Sequence, residues 1–249
     1  MRLALSTAAA PDLGLAELID ACVRRGLAGL ELVSGDAHGV GPECPVEELA
    51  EARRAAEAAG IAIAAFRAAD RAEACSRAAA RLSAVCRAPV ILPRDTAGIP
   101  EDELVAAARV FAEEGGVLLV AHGTDAEAVA ALRRAIEQAP AGSLGLAWDV
   151  DPGDPGLVAR LGAVLDAAGP HLRHVLLIGG GPEAAGQEGR GVGPLMGRLA
   201  LARYDGAIAL APSTPRYRYA WGAWLGRRGG WGCGSRAGGG LPVRLDLER

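Results

Sequence analysis

Two aspartates, one residue apart, are the first candidates for chemistry in this sequence. They end the apolar segment Leu144-Gly-Leu-Ala-Trp-Asp149-Val-Asp151. Alternate residues of a β-strand point to the same face, so both carboxylates can enter one site. Neighbouring carboxylates can have separated pKa values and serve as general acid and general base. The alternative is that Asp151 and Asp154 only cap the helix that follows.

Two histidines also lie close to apolar segments. His122 comes directly after the fifth segment, where an imidazole can act as a general base or hydrogen-bond to a ligand. The alternative is that it caps the start of a helix at Thr124. His38 lies in a Gly-Asp-Ala-His-Gly loop and is either a ligand-binding residue or an exposed turn residue.

Glu31 lies in the middle of the second apolar segment and needs a partner there. An unpaired charge in a protein interior is costly, so we expect Glu31 to pair with an arginine, either Arg67 or Arg94. Such a pair would serve a ligand or only the fold. Asp95 follows Arg94 at the end of the fourth segment, and we predict that it lies near the same site.

Eight apolar segments position these residues, and a helical pattern follows each of them. We predict strands at 2–6, 29–33, 61–66, 89–92, 116–121, 144–151, 174–178 and 206–210. Most of them are continuously apolar, which is typical of parallel strands covered by helices. Eight such units in 249 residues favour a closed (β/α)8 TIM barrel of the α/β class over a doubly wound open sheet.

No linker divides the chain, so we expect one barrel domain. It covers residues 1–226 and ends with a C-terminal helix at 216–226. Residues 227–249 form a Gly-rich tail with no evident chemistry. In a TIM barrel the C-terminal ends of the strands face a common mouth, and we predict Asp149, His122 and Asp95 at that mouth.

Composition excludes several classes of function. All 26 basic residues are Arg, which excludes chemistry that needs a lysine Schiff base, including that of pyridoxal phosphate. A net charge of −4 without a long basic block argues against nucleic acid or an anionic membrane as the main partner. The five cysteines lack CxxC spacing, which favours the cytoplasm. We expect no cofactor, and a homo-oligomer is compatible with the sequence.

The chain resembles the xylose-isomerase-like TIM barrels, the sugar phosphate isomerase/epimerase group. Its matches to that group's strand motifs are Leu3-Ala-Leu-Ser-Thr7, Gly29-Leu-Glu-Leu32, Trp148-Asp149 and His174-Val175. The segment from Gly189-Arg-Gly191 to Tyr204-Asp-Gly206 is similar to the group's loop between strands 7 and 8. The resemblance extends over residues 1–226 and implies the barrel fold with a site for a small sugar-like compound.

The resemblance also implies a divalent metal, held by Glu, Asp, His and Glu from strands 5 to 8. The corresponding positions here are Ala121, Asp149, Leu176 and Ala211. A hard divalent cation needs several oxygen or imidazole ligands at once. We therefore predict that the protein holds no metal in the family's position, with a relocated site at His122, Asp149 and Asp151 as the alternative.

A second subsite is predicted from the loops after strands 7 and 8. The first of these loops is rich in Gly, and the second contains Ser213 and Arg216. TIM barrels often bind phosphate in this region through backbone N–H groups and a helix N-terminus. The alternative is an ordinary loop followed by a capped helix.

Two classes of function remain. The first is a metal-independent enzyme of the isomerase or epimerase type, acting on a small sugar-like or anionic carbonyl compound. In that enzyme Asp149, His122 and Glu31 would move a proton next to a carbonyl, and an arginine would hold an anionic group. The second class is a non-catalytic barrel that binds a ligand or a partner protein. An enzyme should have a titratable pair within hydrogen-bonding distance in a closed pocket.

Overall fold

Short segments of Ala, Leu, Val and Ile form the strands of the molecule. The computed structural model describes residues 1–93, 99–179 and 192–212. The strands in these ranges are β1 (Arg2–Ser6), β2 (Gly29–Val33), β3 (Ala62–Arg67), β4 (Val90–Leu92), β5 (Leu118–His122), β6 (Leu144–Val150), β7 (Leu172–Gly179) and β8 (Ala207–Pro212). Neighbouring strands pair in parallel, and β8 pairs with β1, so the sheet is a closed barrel. This confirms the predicted TIM barrel and excludes the open sheet.

Helices connect the strands, as the (β/α)8 pattern predicts. Those in the described ranges are α1 (Leu15–Arg25), α2 (Val46–Ala58), α3 (Arg71–Ala74), α4 (Arg77–Cys86), α5 (Glu101–Glu114), α6 (Ala126–Gln138), α7 (Leu157–Ala168) and α8 (Val192–Leu201). The α6 helix is capped by Asp125, whose carboxylate accepts hydrogen bonds from the N–H groups of Glu127 and Ala128. The cap is therefore not Thr124. Across the described ranges, no helix combines the length and the apolar character needed to cross a membrane.

Two strand boundaries differ from the prediction in ways that matter for the site. The β7 strand begins at Leu172, two residues before the predicted start at His174, because buried Leu172 already pairs with Leu146 of β6, with a register shift before His174. The β5 strand extends one residue further than predicted and includes His122. In both strands, alternation from a neighbour of known orientation gives the face that the histidine occupies.

The largest part of the hydrophobic core lies between the strands and the helices. Its bulkiest buried side chains are Trp148, Phe66 and Phe111. Small apolar side chains dominate inside the barrel, and we call them the apolar wall: Ala4, Ala65, Ile91, Leu119, Ala121, Ala147, Leu176, Ala209 and Ala211. Gly29 also faces the interior, where a Cβ would approach Ala4 and Ala64 at 3.3 Å. Small residues on most strands leave space for a few long polar side chains.

Several predicted features lie outside the described residues. They are the C-terminal helix at 216–226, the tail at 227–249, Arg94, Asp95, Ser213 and Arg216. The expectations attached to them stay predictions.

Candidate functional site

Five polar side chains from five strands meet inside the barrel, and we call them the polar cluster. They are Ser6 of β1, Glu31 of β2, Arg67 of β3, Asp149 of β6 and His174 of β7. Each points inward because strand residues alternate between the interior and the helix layer. The cluster joins residues up to 143 positions apart in sequence, so only the closed barrel brings them together.

Arg67 connects the two carboxylates of the cluster. Its terminal nitrogens donate two hydrogen bonds to Asp149, Nη1 to Oδ2 at 3.2 Å and Nη2 to Oδ1 at 2.9 Å. Its Nε donates to Oε1 of Glu31 at 3.3 Å. The planar guanidinium matches a carboxylate in this two-point geometry, which fixes its orientation as well as its position. The prediction that Glu31 pairs with Arg67 or Arg94 is confirmed for Arg67.

Glu31 is the deepest charged residue of the cluster and accepts three hydrogen bonds. Besides Arg67, Ser6 donates from Oγ at 2.9 Å and His174 interacts through Nε2 at 2.6 Å. Burial alone raises the pKa of Glu31, but the charge of Arg67 and the hydrogen bond from His174 outweigh it and lower the pKa to about 2. Glu31 is therefore ionised at neutral pH. An ionised carboxylate only accepts hydrogen bonds, so Nε2 of His174 carries the proton.

The pKa of Asp149 shifts in the opposite direction, although Asp149 shares Arg67 with Glu31. Burial raises its pKa, Arg67 offsets this only in part, and the charge of Glu31 raises it further. Burial lowers the pKa of Arg67, yet the charges of Glu31 and Asp149 outweigh this effect and raise the pKa, so the guanidinium stays charged. Two carboxylates on one guanidinium thus have pKa values that move apart. Such a difference distinguishes a group that exchanges protons from one that stays ionised.

Depth in the barrel separates the cluster into two layers. The side chains of Glu31 and His174 are completely buried, whereas Asp149 is 7% exposed and Arg67 14% exposed. Arg67 is the last residue of β3 and Asp149 is the next-to-last of β6, so both lie at the C-terminal ends of their strands. This end of a TIM barrel is where ligands enter. The pair of Arg67 and Asp149 is therefore the accessible layer of the cluster.

His122 is not in this cluster. Ala121 has the inward orientation on β5, so His122 points into the helix layer and stacks on Trp148, with ring centroids 6.1 Å apart and an interplanar angle of 10°. Its Nδ1 lies 2.7 Å from the carbonyl oxygen of Gly123. Trp148 and Asp149 are consecutive on β6 and occupy opposite faces of the strand. The structure therefore separates His122 from Asp149, contrary to the expectation that both act on one substrate.

Asp151 and His38 also lie away from the cluster. Asp151 is exposed and accepts a hydrogen bond from the backbone N–H of Gly153 at 2.8 Å, in the turn before α7, whose N-cap is Gly156, so Asp151 does not cap that helix as the alternative expected. His38 is buried, bonds to the carbonyl oxygen of Val33 through Nε2 and accepts from the N–H of Val40 through Nδ1. It lines a groove of about 500 Å³ between α1 and α2, in which no cluster residue takes part.

Sequence reasoning missed two members of the cluster. His174 and Ser6 were noted only as parts of the strand motifs His174-Val175 and Leu3-Ala-Leu-Ser-Thr7, and neither was named as a site residue. The available signal was strand alternation, because His174, Leu176 and Ile178 share one face of β7 and Leu176 faces the interior. His174 also has a buried Nδ1 with no hydrogen-bond partner in the described part of the chain.

The residues around Asp149 do not fit a divalent metal. Leu176 is the register partner of Asp149 on β7, Ala121 pairs with Ala147 on β6, and Ala211 lies on β8 beside Ile178. Both carboxylate oxygens of Asp149 already accept hydrogen bonds from Arg67. Within residues 1–93, 99–179 and 192–212, no three His, Cys, Asp or Glu side chains are grouped to hold an ion. The absence of a metal from the purified protein stays a prediction.

Comparisons with known proteins show the same fold. No protein family model matches the sequence, and no curated protein matches it. D-Psicose 3-epimerase from Clostridium cellulolyticum H10 is 13% identical, with 90% of each chain covered and a TM-score of 0.62. The 3-keto-D-glucoside 4-epimerase from E. coli is 14% identical, with 90% of this chain and 98% of that chain covered and a TM-score of 0.61.

A xylose isomerase domain protein from Salmonella typhimurium gives a TM-score of 0.58 at 15% identity, with 90% of this chain and 93% of that chain covered. This chain has the xylose-isomerase-like barrel fold. The expected fold is thereby confirmed, and at these identities the likeness concerns the fold alone.

Proposed function

We propose that this barrel is a metal-independent enzyme of the sugar isomerase or epimerase type, which takes a small sugar-like carbonyl compound at its mouth. The observation that carries the proposal is the accessible pair of Arg67 and Asp149 at the C-terminal ends of the strands. An acid–base group beside a fixed cation suits proton transfer next to a carbonyl. The sugar epimerases that share this fold support the general kind of substrate.

In the proposed reaction, Asp149 removes a proton from the carbon next to the carbonyl and returns it to a neighbouring carbon or to the other face. The raised pKa of Asp149 makes its carboxylate a stronger base than an exposed aspartate. Arg67 donates hydrogen bonds to the carbonyl oxygen, where negative charge develops during proton removal. Oxygen-directed donors fixed before the reaction stabilise that charge without rearrangement.

Glu31 takes a positioning role in this proposal and does not transfer protons. Its low pKa makes it a weak base, and it is completely buried beneath Arg67. With Ser6 and His174 it holds the Nε side of the guanidinium in place. The anion subsite predicted at Ser213 and Arg216 would hold a distant group of the same ligand.

One observation favours a second candidate, a non-catalytic barrel that binds a sugar-like ligand. Both oxygens of Asp149 accept from Arg67, so the carboxylate must release at least one hydrogen bond before it can take a proton. A protein that only binds would use the same donors without that rearrangement. The two candidates differ in whether hydrogen leaves the substrate.

Hydrogen exchange with solvent distinguishes the two candidates. D-Fructose and D-tagatose, the sugars named with two D-psicose 3-epimerase structures of this fold, would be incubated with the protein in D₂O and followed by NMR. The enzyme incorporates deuterium next to the carbonyl, Asp149→Asn abolishes the incorporation, and Asp151→Asn, the matched control two residues away, retains it. Saturation-transfer signals without deuterium incorporation would favour the binding protein. Neither signal with either sugar would contradict both candidates for these substrates.

A further inference from the structure

The guanidinium of Arg67 occupies the centre of the polar cluster, with a carboxylate on each of two sides. Glu31 accepts from its Nε and Asp149 from both of its terminal nitrogens. These contacts use three of the five N–H donors of an arginine. The other two, one on each terminal nitrogen, have no partner among the described residues. A side chain that is 14% exposed at the mouth therefore retains donor capacity.

Arg67 supplies the positive charge that two carboxylates in a barrel interior would otherwise lack. Two carboxylates approach the positive charge, and His174 supports Glu31 from behind at 2.6 Å. The apolar wall on the neighbouring strands, which includes Ala121 and Leu176, offers no oxygen or nitrogen ligand. A metal ion added here would have to compete with a covalently attached cation for the same oxygens.

We propose that Arg67 is the built-in cation of this site, held between Glu31 and Asp149 in place of a divalent metal, and that one of its two remaining N–H groups binds an uncharged carbonyl group of the substrate. The first part concerns the protein alone. The second part rests on the proposed function and specifies its substrate class.

The charges already present around Arg67 favour an uncharged carbonyl group over an anionic group as the part of the substrate that binds there. Two carboxylates already share one guanidinium, so a carboxylate or phosphate brought to Arg67 would add a third anion to the same cation. Removing charged groups from water without adequate compensation is costly inside a barrel. A ketone or aldehyde oxygen carries only a partial charge, and a single N–H donor of Arg67 can satisfy it. An anionic group elsewhere on the ligand would have to lie away from the cluster.

Chemical rescue tests the first part of the proposal. Arg67→Ala leaves a cavity beside two carboxylates, and guanidinium ion at about 20 mM, far below denaturing concentrations, should bind there and raise the melting temperature. The wild-type protein should show only the slight decrease that a denaturant causes. Arg77→Ala, which removes exposed ion pairs with Glu113 and Glu114, should behave like the wild type. The double variant Arg67→Ala/Glu31→Gln should lose most of the rescue.

The rescue experiment gives a decisive result whether the Arg67→Ala variant is folded or unfolded. If it is folded, a melting temperature that guanidinium lowers as much as in the wild type overturns the built-in cation. If it is unfolded, guanidinium ion should restore the circular dichroism signal of the folded barrel, and failure to restore it also overturns the proposal. Mn²⁺ added to the wild-type protein should leave its melting temperature unchanged, and a metal-induced increase would contradict the replacement of the metal.

The second part is tested with dihydroxyacetone and hydroxypyruvate, which differ by a carboxylate next to the carbonyl. The wild-type protein should bind dihydroxyacetone at least about tenfold more tightly, because like charges brought together at a site are strongly unfavourable. Tighter binding of hydroxypyruvate would overturn the uncharged substrate class. If neither compound binds while guanidinium rescue succeeds, the proposed function fails for these compounds and the built-in cation stands.

Discussion

The polar cluster and the apolar wall line the same barrel, yet their side chains differ in what they need from their neighbours. The cluster residues need partners of opposite charge, and the wall residues need only packing contacts. In the cluster, Glu31, Arg67 and Asp149 each satisfy a charge of another member. In the wall, residues such as Ala121 and Leu176 contribute only contact and volume. A change in the cluster should therefore leave a buried charge without its partner and depend on pH. A change in the wall should alter packing and depend much less on pH.

Removal of the shared cation should have the largest effect on stability. Arg67→Met keeps much of the side-chain volume but leaves two buried carboxylates without their partner, so we expect a loss of about 3–5 kcal/mol in the free energy of unfolding at neutral pH. Urea denaturation measures it. Arg77→Met, at a fully exposed arginine with two surface ion pairs, should change stability little. Equal effects of the two substitutions would show that Arg67 does not neutralise buried charge.

Acid titration should give the next largest effect. The pKa of Glu31 is lowered from 4.5 to about 2 in the folded protein, so its stabilising contribution is present above pH 4.5 and is lost as the pH falls towards 2. The stability advantage of the wild type over Glu31→Gln should therefore shrink by about 3 kcal/mol across that window. Unfolding free energies measured between pH 2 and 7 would show it. A constant difference between the two proteins would contradict the ionised state assigned to Glu31.

Two controls give the expected signs for that titration. Asp149 has a raised pKa, so its contribution to stability is lost as the pH rises through that pKa, and comparison with Asp149→Asn should give the opposite slope. Leu176→Ala, in the apolar wall beside Asp149, should lower stability by about 2–5 kcal/mol through the cavity it creates. This loss should vary with pH much less than the loss in the charged variants, because the leucine itself carries no charge.

The barrel could be predicted from the sequence, because continuous apolar segments alternating with helical patterns require parallel strands covered by helices. The inward placement of Glu31 and Asp149 followed from the same reasoning, and the pairing of Glu31 with Arg67 followed from the cost of burying a charge alone. These inferences depend on strand alternation and on burial, both of which the local sequence pattern indicates.

The composition of the site could not be predicted in full, because it depends on strand ends. β5 continues through His122, which follows inward-facing Ala121 and so lies in the helix layer, and β7 begins two residues before His174. Strand ends are set by register with neighbouring strands and by contacts with helices, neither of which is local in sequence. Asp151 illustrates the same limit, since β6 ends at Val150 and the chain then turns.

We expect the smallest effect from a substitution of His122. It tests whether His122 and Asp149 lie on opposite faces of the sheet formed by β5 and β6. His122→Phe keeps an aromatic ring against Trp148 and removes both ring nitrogens, including the one that bonds to the carbonyl oxygen of Gly123. Loss of one such hydrogen bond should lower the free energy of unfolding by about 1 kcal/mol or less. Deuterium incorporation into the substrate should change by no more than about twofold, since a ring in the helix layer makes no contact with the reacting atoms. Abolished incorporation, with the protein still folded in urea titrations, would mean that the imidazole reaches the mouth. Asp149 and His122 would then share one site, and Asp149 with Arg67 would be only part of it.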